Sequence, residues 1–103
     1  MIRKHRYSAF SGTALDNLLR QYGIKTTVIT GVSTNICVES TLREAFNLGY
    51  YVVIPRDCVA GNNAVLHDAT LRNVEFLIGD VTSAADLTEY WSKRGVEVAG
   101  AVC

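Results

Sequence analysis

The residues best suited to nucleophilic chemistry run from Gly31 to Cys37, Gly-Val-Ser-Thr-Asn-Ile-Cys. An apolar β-branched run over 26–30 stops at Gly31, passes through a short polar turn and opens into a helical pattern with Cys37 at its start. The first turn of a helix presents unpaired N–H groups and the positive end of the macrodipole, and both favour a thiolate over a thiol. Gly31 permits dihedrals closed to other residues and lets a substrate approach the backbone closely. The N–H groups of Ser33 and Cys37 can face one point near the sulfur, as a developing oxyanion requires. Val32, Thr34 and Asn35 complete the turn as supporting or substrate-contacting positions. The same placement also suits a structural cysteine buried at a tight turn, since free Cys is among the most buried residue types.

Lys4 lies in a basic, aromatic-flanked lead-in, Arg3-Lys4-His5-Arg6-Tyr7-Ser8-Ala9-Phe10. An ammonium beside the sulfur would stabilise the thiolate and exchange protons with it. Composition alone reads the same segment as a solvated basic loop, because exposed Lys is the rule. Asp57 follows an apolar run that ends at Pro55, and its expected work is to tie down neighbouring loop N–H groups. His67 falls within a helical stretch, where packing or capping suits it better than catalysis. His5 has no Asp/His neighbours of the kind a metal requires, so neither a metal nor another cofactor is expected. Cys58 and Cys103 read as inert, and Tyr90 and Trp91 as core or subunit-interface anchors.

The totals bound what these residues can belong to. With 103 residues, 49% hydrophobic and 19% charged, the chain reads as one compact soluble domain, too short for two. Ten basic and ten acidic residues balance to a formal charge of +0, and the longest charge cluster is 3–6. Nucleic acid and anionic membranes are therefore not expected partners; a small-molecule substrate is. No apolar stretch approaches the roughly 18–20 residues of a membrane span, and there is no signal-peptide layout. Three cysteines without metal-type spacing argue against a disulfide framework and for a reduced, cytoplasmic setting.

The elements that must position these residues follow from hydrophobic period and punctuation. Thr13-Ala-Leu-Asp16 reads as a capping box, followed by a helix with Leu15, Leu18, Leu19 and Tyr22 on one face and Gly23 at its end. A strand is expected at 26–30. Next comes the Cys37 helix, with Val38, Thr41, Leu42, Ala45 and Phe46 in its stripe, ending at Gly49. The near-continuous apolar run 50–54 predicts a strand buried on both faces, stopped by Pro55. A loop over 57–63, a helix over 64–73, a strand over 74–78 and a helix over 83–93 complete the pattern. The tail 95–103 is compatible with a short strand or a loose end. Short connections between alternating helices and strands imply right-handed βαβ units and a parallel, three-layer α/β fold. Ligands in such sheets bind at the carboxyl ends of the strands, where the turn before Cys37 lies. Three strands make a small parallel sheet, and the one at 26–30 is as apolar as an internal strand, so a neighbouring strand is expected to be missing on its far side.

Lys4-His-Arg-Tyr-Ser-Ala-Phe10 with Thr13-Ala-Leu-Asp16, the block from Thr30 to Ala45, and Asp57 together resemble the isochorismatase-like cysteine hydrolases. That superfamily includes nicotinamidases, N-carbamoylsarcosine amidases and ureidoacrylate amidohydrolases. The resemblance runs to about Trp91, and Thr34 to Arg43 looks most similar to the ureidoacrylate amidohydrolase branch. It implies an Asp-Lys-Cys triad in which Cys37 matches the nucleophile and Lys4 the lysine. It also implies a cis peptide at Val32–Ser33 that turns the Ser33 and Cys37 N–H groups into an oxyanion hole. The family's aspartate comes from the first strand of a six-stranded sheet, ahead of the lysine, and no aspartate precedes Lys4 here. Residues 1–103 are accordingly expected to be a partial domain, the carboxyl-terminal half of such an enzyme.

The function implied is cysteine-dependent hydrolysis of a small ureido or amide compound through a thioester acyl-enzyme. Isochorismatase or nicotinamidase activity is the alternative within the same class. A different expectation is a truncated, non-catalytic fragment that works only by association. Homo-oligomerisation is expected on either reading, since an apolar strand edge invites pairing.

Overall fold

Alternation of helix and strand along the chain produces one parallel sheet. The computed structural model describes residues 1–94 and the strand at 101–102. In chain order the elements are α1 (Leu15–Gln21), β1 (Thr26–Val32), a wide turn (Thr34–Val38), α2 (Glu39–Asn47) and β2 (Tyr51–Pro55). A single tight turn (Arg56–Cys58), β3 (Val59–Ala60), α3 (Ala64–Asn73), a wide-pitched extension (Val74–Ile78), β4 (Asp80–Thr82), α4 (Ala84–Arg94) and β5 (Ala101–Val102) follow.

Among the described residues every strand pairing is parallel. β1 meets β2 through Thr26↔Tyr51, Thr27↔Val52 and Val28↔Val53, and β2 meets β4 through Val53↔Asp80, Ile54↔Val81 and Pro55↔Thr82. The carboxyl end of β1 meets β3 through Gly31↔Val59 and Val32↔Ala60, on the side away from β2, so the edge expected to lack a neighbour is paired there. β5 pairs with β1 at Ile29 and Thr30, so the tail contributes a short strand; residues 95–100 and 103 lie outside the described residues. Parallel strands need crossovers, and α2 and α3 supply them, giving the three-layer α/β architecture expected from the sequence.

The core sits where the sheet meets α2. Val38, Leu42 and Ala45 recur at helical spacing and are buried against Ile29, Val52 and Ile54. Phe46, placed in that stripe by its spacing, instead lies 47% exposed, because only the 38-41-42-45 face points inward. On α1 the buried face is also narrower than expected: Leu15 and Leu19 pack on the core while Leu18 and Tyr22 are exposed. No residue of α4 is buried, so Tyr90 is not a core anchor; Arg94 lies over its ring.

Three local expectations are corrected. The loop expected over 57–63 carries the short strand β3 at Val59–Ala60, paired with β1. Helix α1 begins at Leu15 with Ala14 in the cap position, and the capping box does not form as a unit. Thr13 Oγ1 accepts the Leu15 amide at 3.3 Å, but the Asp16 carboxylate turns to the Tyr50 hydroxyl (2.6 Å) and Arg20 Nε (3.0 Å). The strand expected over 74–78 is instead the wide-pitched continuation of α3, and the strand follows at Asp80–Thr82. Val74 is fully buried and Ile78 packs against the core, whereas Phe76 and Leu77 are 81% and 71% exposed. That i, i+4 burial is helical; a strand would have buried 74, 76 and 78 together. A short apolar run does not by itself reveal its period.

Candidate active site

Cys37 lies within the wide turn Thr34–Val38, and regular α-helix begins two residues later at Glu39. The turn is closed by the Ser33 carbonyl, which accepts the amides of Ile36 (3.1 Å) and Val38 (3.2 Å) on either side of Cys37. The second of these bonds spans five residues, the wide helical spacing that recurs at functional sites. The peptide bond between Val32 and Ser33 is cis, and Gly31 before it has φ 122°. A glycine is needed there, since side chains rarely adopt that dihedral. The turn therefore stands at the carboxyl end of β1, with Thr34 completely buried and Cys37 half-buried.

Gly61, just past β3, presses on this turn. A Cβ at that position would stand 3.3 Å from Asn35 Oδ1 and 3.6 Å from the Thr34 nitrogen. From the other side α3 supplies two side chains. His67 Nδ1 lies 2.7 Å from the Thr34 hydroxyl, and Thr70 donates to Glu39 Oε1 at 2.7 Å. Glu39 also stands 3.6 Å from Arg43 Nε one turn along α2.

The lead-in reaches the same place from the amino-terminal side and is fastened to α2. Ser8 and Ser11 donate hydroxyls to Glu44 Oε1, and the Ala9 amide donates to Thr41 Oγ1 at 3.0 Å. Thus anchored, the segment folds back so that Lys4 Nζ donates to the carbonyls of Arg6 and Tyr7, both at 3.2 Å. An open cavity of about 580 Å³ is lined by Lys4, His5, Arg6, Tyr7 and Cys37. None of these five is acidic, so the cavity favours an anionic or electron-rich group beside the sulfur.

Of the residues singled out in the sequence, Lys4 and Cys37 thus come together at one cavity. Val32, Ser33, Thr34 and Asn35 form the turn beside it, with Val32 exposed and Thr34 facing α3. Asp57 lies elsewhere: its Oδ1 accepts the Ala84 amide at 2.9 Å, which caps α4 and ties it to the end of β2. Cys58 is half-buried on the same short turn as Asp57. Among the described residues no group of three His, Cys, Asp or Glu side chains is placed to hold a metal ion. No helix there is long and apolar enough to cross a membrane. Sequence reasoning missed Glu44, Glu39, Thr70 and Gly61, and gave His67 only a packing or capping part. The available signal was the helical spacing of Thr41 with Glu44 and of His67 with Thr70, which puts each pair on one helix face.

The isochorismatase domain family matches residues 1–86. Among curated proteins, the chain is 44% identical over 87 residues to a ureidoacrylate amidohydrolase of Methylorubrum extorquens, covering 82% of this chain and 35% of that protein. It is 45% identical over 76 residues to Nicotinamidase 3 of Arabidopsis thaliana, covering 74% and 38%. An isochorismatase-like hydrolase from Alkaliphilus metalliredigens superposes with a TM-score of 0.83 at 33% identity, over 87% of this chain and 50% of that one. The chain spans about a third of the length of the curated relatives it matches.

Proposed function

The chain belongs to the isochorismatase domain family, and from that premise we propose that it carries the nucleophile of a cysteine-dependent amidohydrolase for a small ureido or carbamoyl-amide compound. The observation that carries this reading is the meeting of Cys37 and Lys4 at one cavity, with a backbone turn beside the sulfur.

In the reaction proposed, the Cys37 sulfur attacks the carbonyl carbon of the amide while the Lys4 ammonium stabilises the thiolate. The carbonyl oxygen takes up the negative charge and is held by the N–H groups of Ser33 and Cys37. Each such donor is typically worth about 3 kcal/mol in the transition state. The tetrahedral adduct expels an amine or ammonia, which takes a proton as it leaves, and a thioester to Cys37 remains. Water then attacks the thioester, releasing the acid and restoring the thiol. The thiol proton passes to an aspartate that the family resemblance places ahead of the lysine; none precedes Lys4 in these 103 residues. General-base help of this kind contributes about 10²–10⁴-fold. The 103 residues alone are therefore proposed to turn over far more slowly than an assembly supplying that carboxylate.

Similarity to the ureidoacrylate amidohydrolase supports a ureido substrate, and the basic cavity suits one that bears a carboxylate. Similarity to the Arabidopsis nicotinamidase supports a second reading, in which a nicotinamide-like amide releases ammonia by the same steps. The test is to assay the product of the full reading frame, with Cys37→Ser beside it, on ureidoacrylate, N-carbamoyl amino acids and nicotinamide. The proposal expects one substrate to be hydrolysed and the serine variant to be inactive. Hydrolysis untouched by the substitution would overturn it.

A further inference from the structure

Two side chains on one face of α3, His67 and Thr70, grip the wide turn that carries Cys37 at both of its ends. His67 Nδ1 meets the hydroxyl of Thr34, the first residue of the turn, at 2.7 Å. Thr70 meets the carboxylate of Glu39, the residue after the turn's last, at 2.7 Å, with the Leu66 carbonyl of its own helix, 3.1 Å away, as an alternative acceptor for the same proton. The two contacts differ in kind. Thr70 is buried, and its single hydroxyl proton has a second acceptor within α3, the Leu66 carbonyl, to which it can turn if Glu39 is lost. Thr34 is completely buried, and a buried hydroxyl stripped of its partner must stay unsatisfied or swing to another group.

We propose that His67 is a positioning residue for the reaction: its bond to Thr34 fixes the turn so that the Cys37 sulfur and the Ser33 and Cys37 amides converge on one point. The inference rests on the reading of Cys37 as nucleophile and adds to it a residue that touches neither substrate nor sulfur. Thr34 stands directly after Ser33, and only Asn35 and Ile36 separate it from Cys37. A shift of its side chain therefore moves the amides on both sides. The brace is rigid because His67 lies on a helix whose start is itself capped, Asn63 Oδ1 accepting the Leu66 amide at 3.1 Å. The ring nitrogen acts through geometry, accepting the threonine hydroxyl in one neutral tautomer and donating to its oxygen in the other. An amide at the same position does either job. Asn places its terminal atoms where Nδ1 lies, whereas Gln reaches toward the place of Nε2.

The experiment is iodoacetamide labelling of the folded chain near neutral pH, read peptide by peptide, with Cys58 as internal reference because both thiols are half-buried. In the unaltered protein Cys37 is expected to label faster than Cys58. His67→Leu and Thr34→Val are each expected to slow Cys37 by about tenfold or more relative to Cys58, as a misplaced reacting group does. The double variant should be no slower than either single one, because the two residues act through one bond. His67→Asn is expected to stay within about twofold of the unaltered protein, and His67→Gln to resemble His67→Leu. Should His67→Leu fail to fold, the Asn and Gln variants carry the comparison. Unchanged Cys37 labelling in the Leu or Gln variant, or additive losses in the double variant, would overturn the positioning role while leaving the nucleophile in place. Equal labelling of Cys37 and Cys58 in the unaltered protein would instead strike at the nucleophile reading, and the positioning role would fall with it.

Discussion

Ser8, in the segment that delivers Lys4, donates its hydroxyl to the carboxylate of Glu44, on the helix that follows Cys37. Ser11 donates to the same oxygen at 3.1 Å, and one turn earlier Thr41 accepts the Ala9 amide. The lysine and the sulfur thus take their positions from one helix. Neither is placed by its own loop alone.

Removing the clamp should therefore loosen the lead-in. In Glu44→Ala the buried Ser8 hydroxyl loses its acceptor, which is expected to cost about 1–3 kcal/mol of stability. Glu44→Gln retains an acceptor oxygen and should lose less. Thermal unfolding gives the energy, and limited trypsin digestion at Lys4 and Arg6 gives the location. An unchanged midpoint with unchanged digestion would show that the clamp holds nothing.

Lys4 offers the second prediction. Its Nζ is held by two backbone carbonyls at the cavity, so a long apolar replacement keeps the bulk and removes the charge. Lys4→Met is expected to lower kcat/KM by about 10²-fold or more in the product of the full reading frame. Lys4→Arg should not restore it, because a planar guanidinium cannot occupy the place of a compact ammonium. Recovery in the arginine variant would mean that positive charge alone suffices.

Two glycines separate fold from site. A Cβ on Gly79 would stand 2.0 Å from the Val52 carbonyl oxygen, and that atom belongs to a paired strand. Gly79→Ala must displace β2 or β4 and is expected to destabilise by about 1–3 kcal/mol or more. At Gly61 the nearest atom is a side-chain oxygen, Asn35 Oδ1, at 3.3 Å, which yields by a small rotation. Gly61→Ala should unfold near the unaltered temperature and reveal itself in the kinetics, through the displaced Asn35 side chain beside the sulfur's turn. Comparing melting curves with kcat/KM distinguishes the two.

Tyr50 sets a pH dependence of stability. Burial, the hydrogen bond from its hydroxyl to Asp16 and the charge of that carboxylate push the phenol above its usual value of 10.0, with Arg20 pulling the other way. The unfolded chain therefore gives up this proton at lower pH than the folded one. The contribution is complete below pH 10.0 and is lost as pH rises through the folded value. Tyr50→Phe keeps the stacking on Phe10 but loses the bond to Asp16, for a cost of about 1.5 kcal/mol at neutral pH. That gap should narrow in melts taken above about pH 10. A constant gap would contradict the coupling.

Much of this arrangement is written in local pattern. The alternation of helix and strand from α1 to β2, the buried 38-41-42-45 face of α2 and the strand-to-turn switch at Gly31 all follow from period and punctuation within a dozen residues. What escapes is whatever depends on how one element docks on another. Ser8 with Glu44, Thr34 with His67 and Glu39 with Thr70 join residues 36, 33 and 31 positions apart, and their partnership is set by helix phase against the sheet. Residues 74–78 escape for a different reason. Their composition suits a strand, but burying Val74 and Ile78 on one helical face leaves Phe76 and Leu77 outside, and Gly79 then lets the chain close onto Val52. Asp57 shows the intermediate case, an expected tie to loop amides whose partner, Ala84, is 27 residues away.

A covalent intermediate on Cys37 is what an acid quench would trap. The product of the full reading frame is mixed with the amide it hydrolyses, stopped in acid during the first turnovers, digested and weighed by mass spectrometry. The expected result is an acyl group carried as a thioester on the peptide containing Cys37, absent from Cys37→Ser and from the peptide containing Cys58. Steady turnover with Cys37 unmodified throughout, and retained by the serine variant, would contradict it.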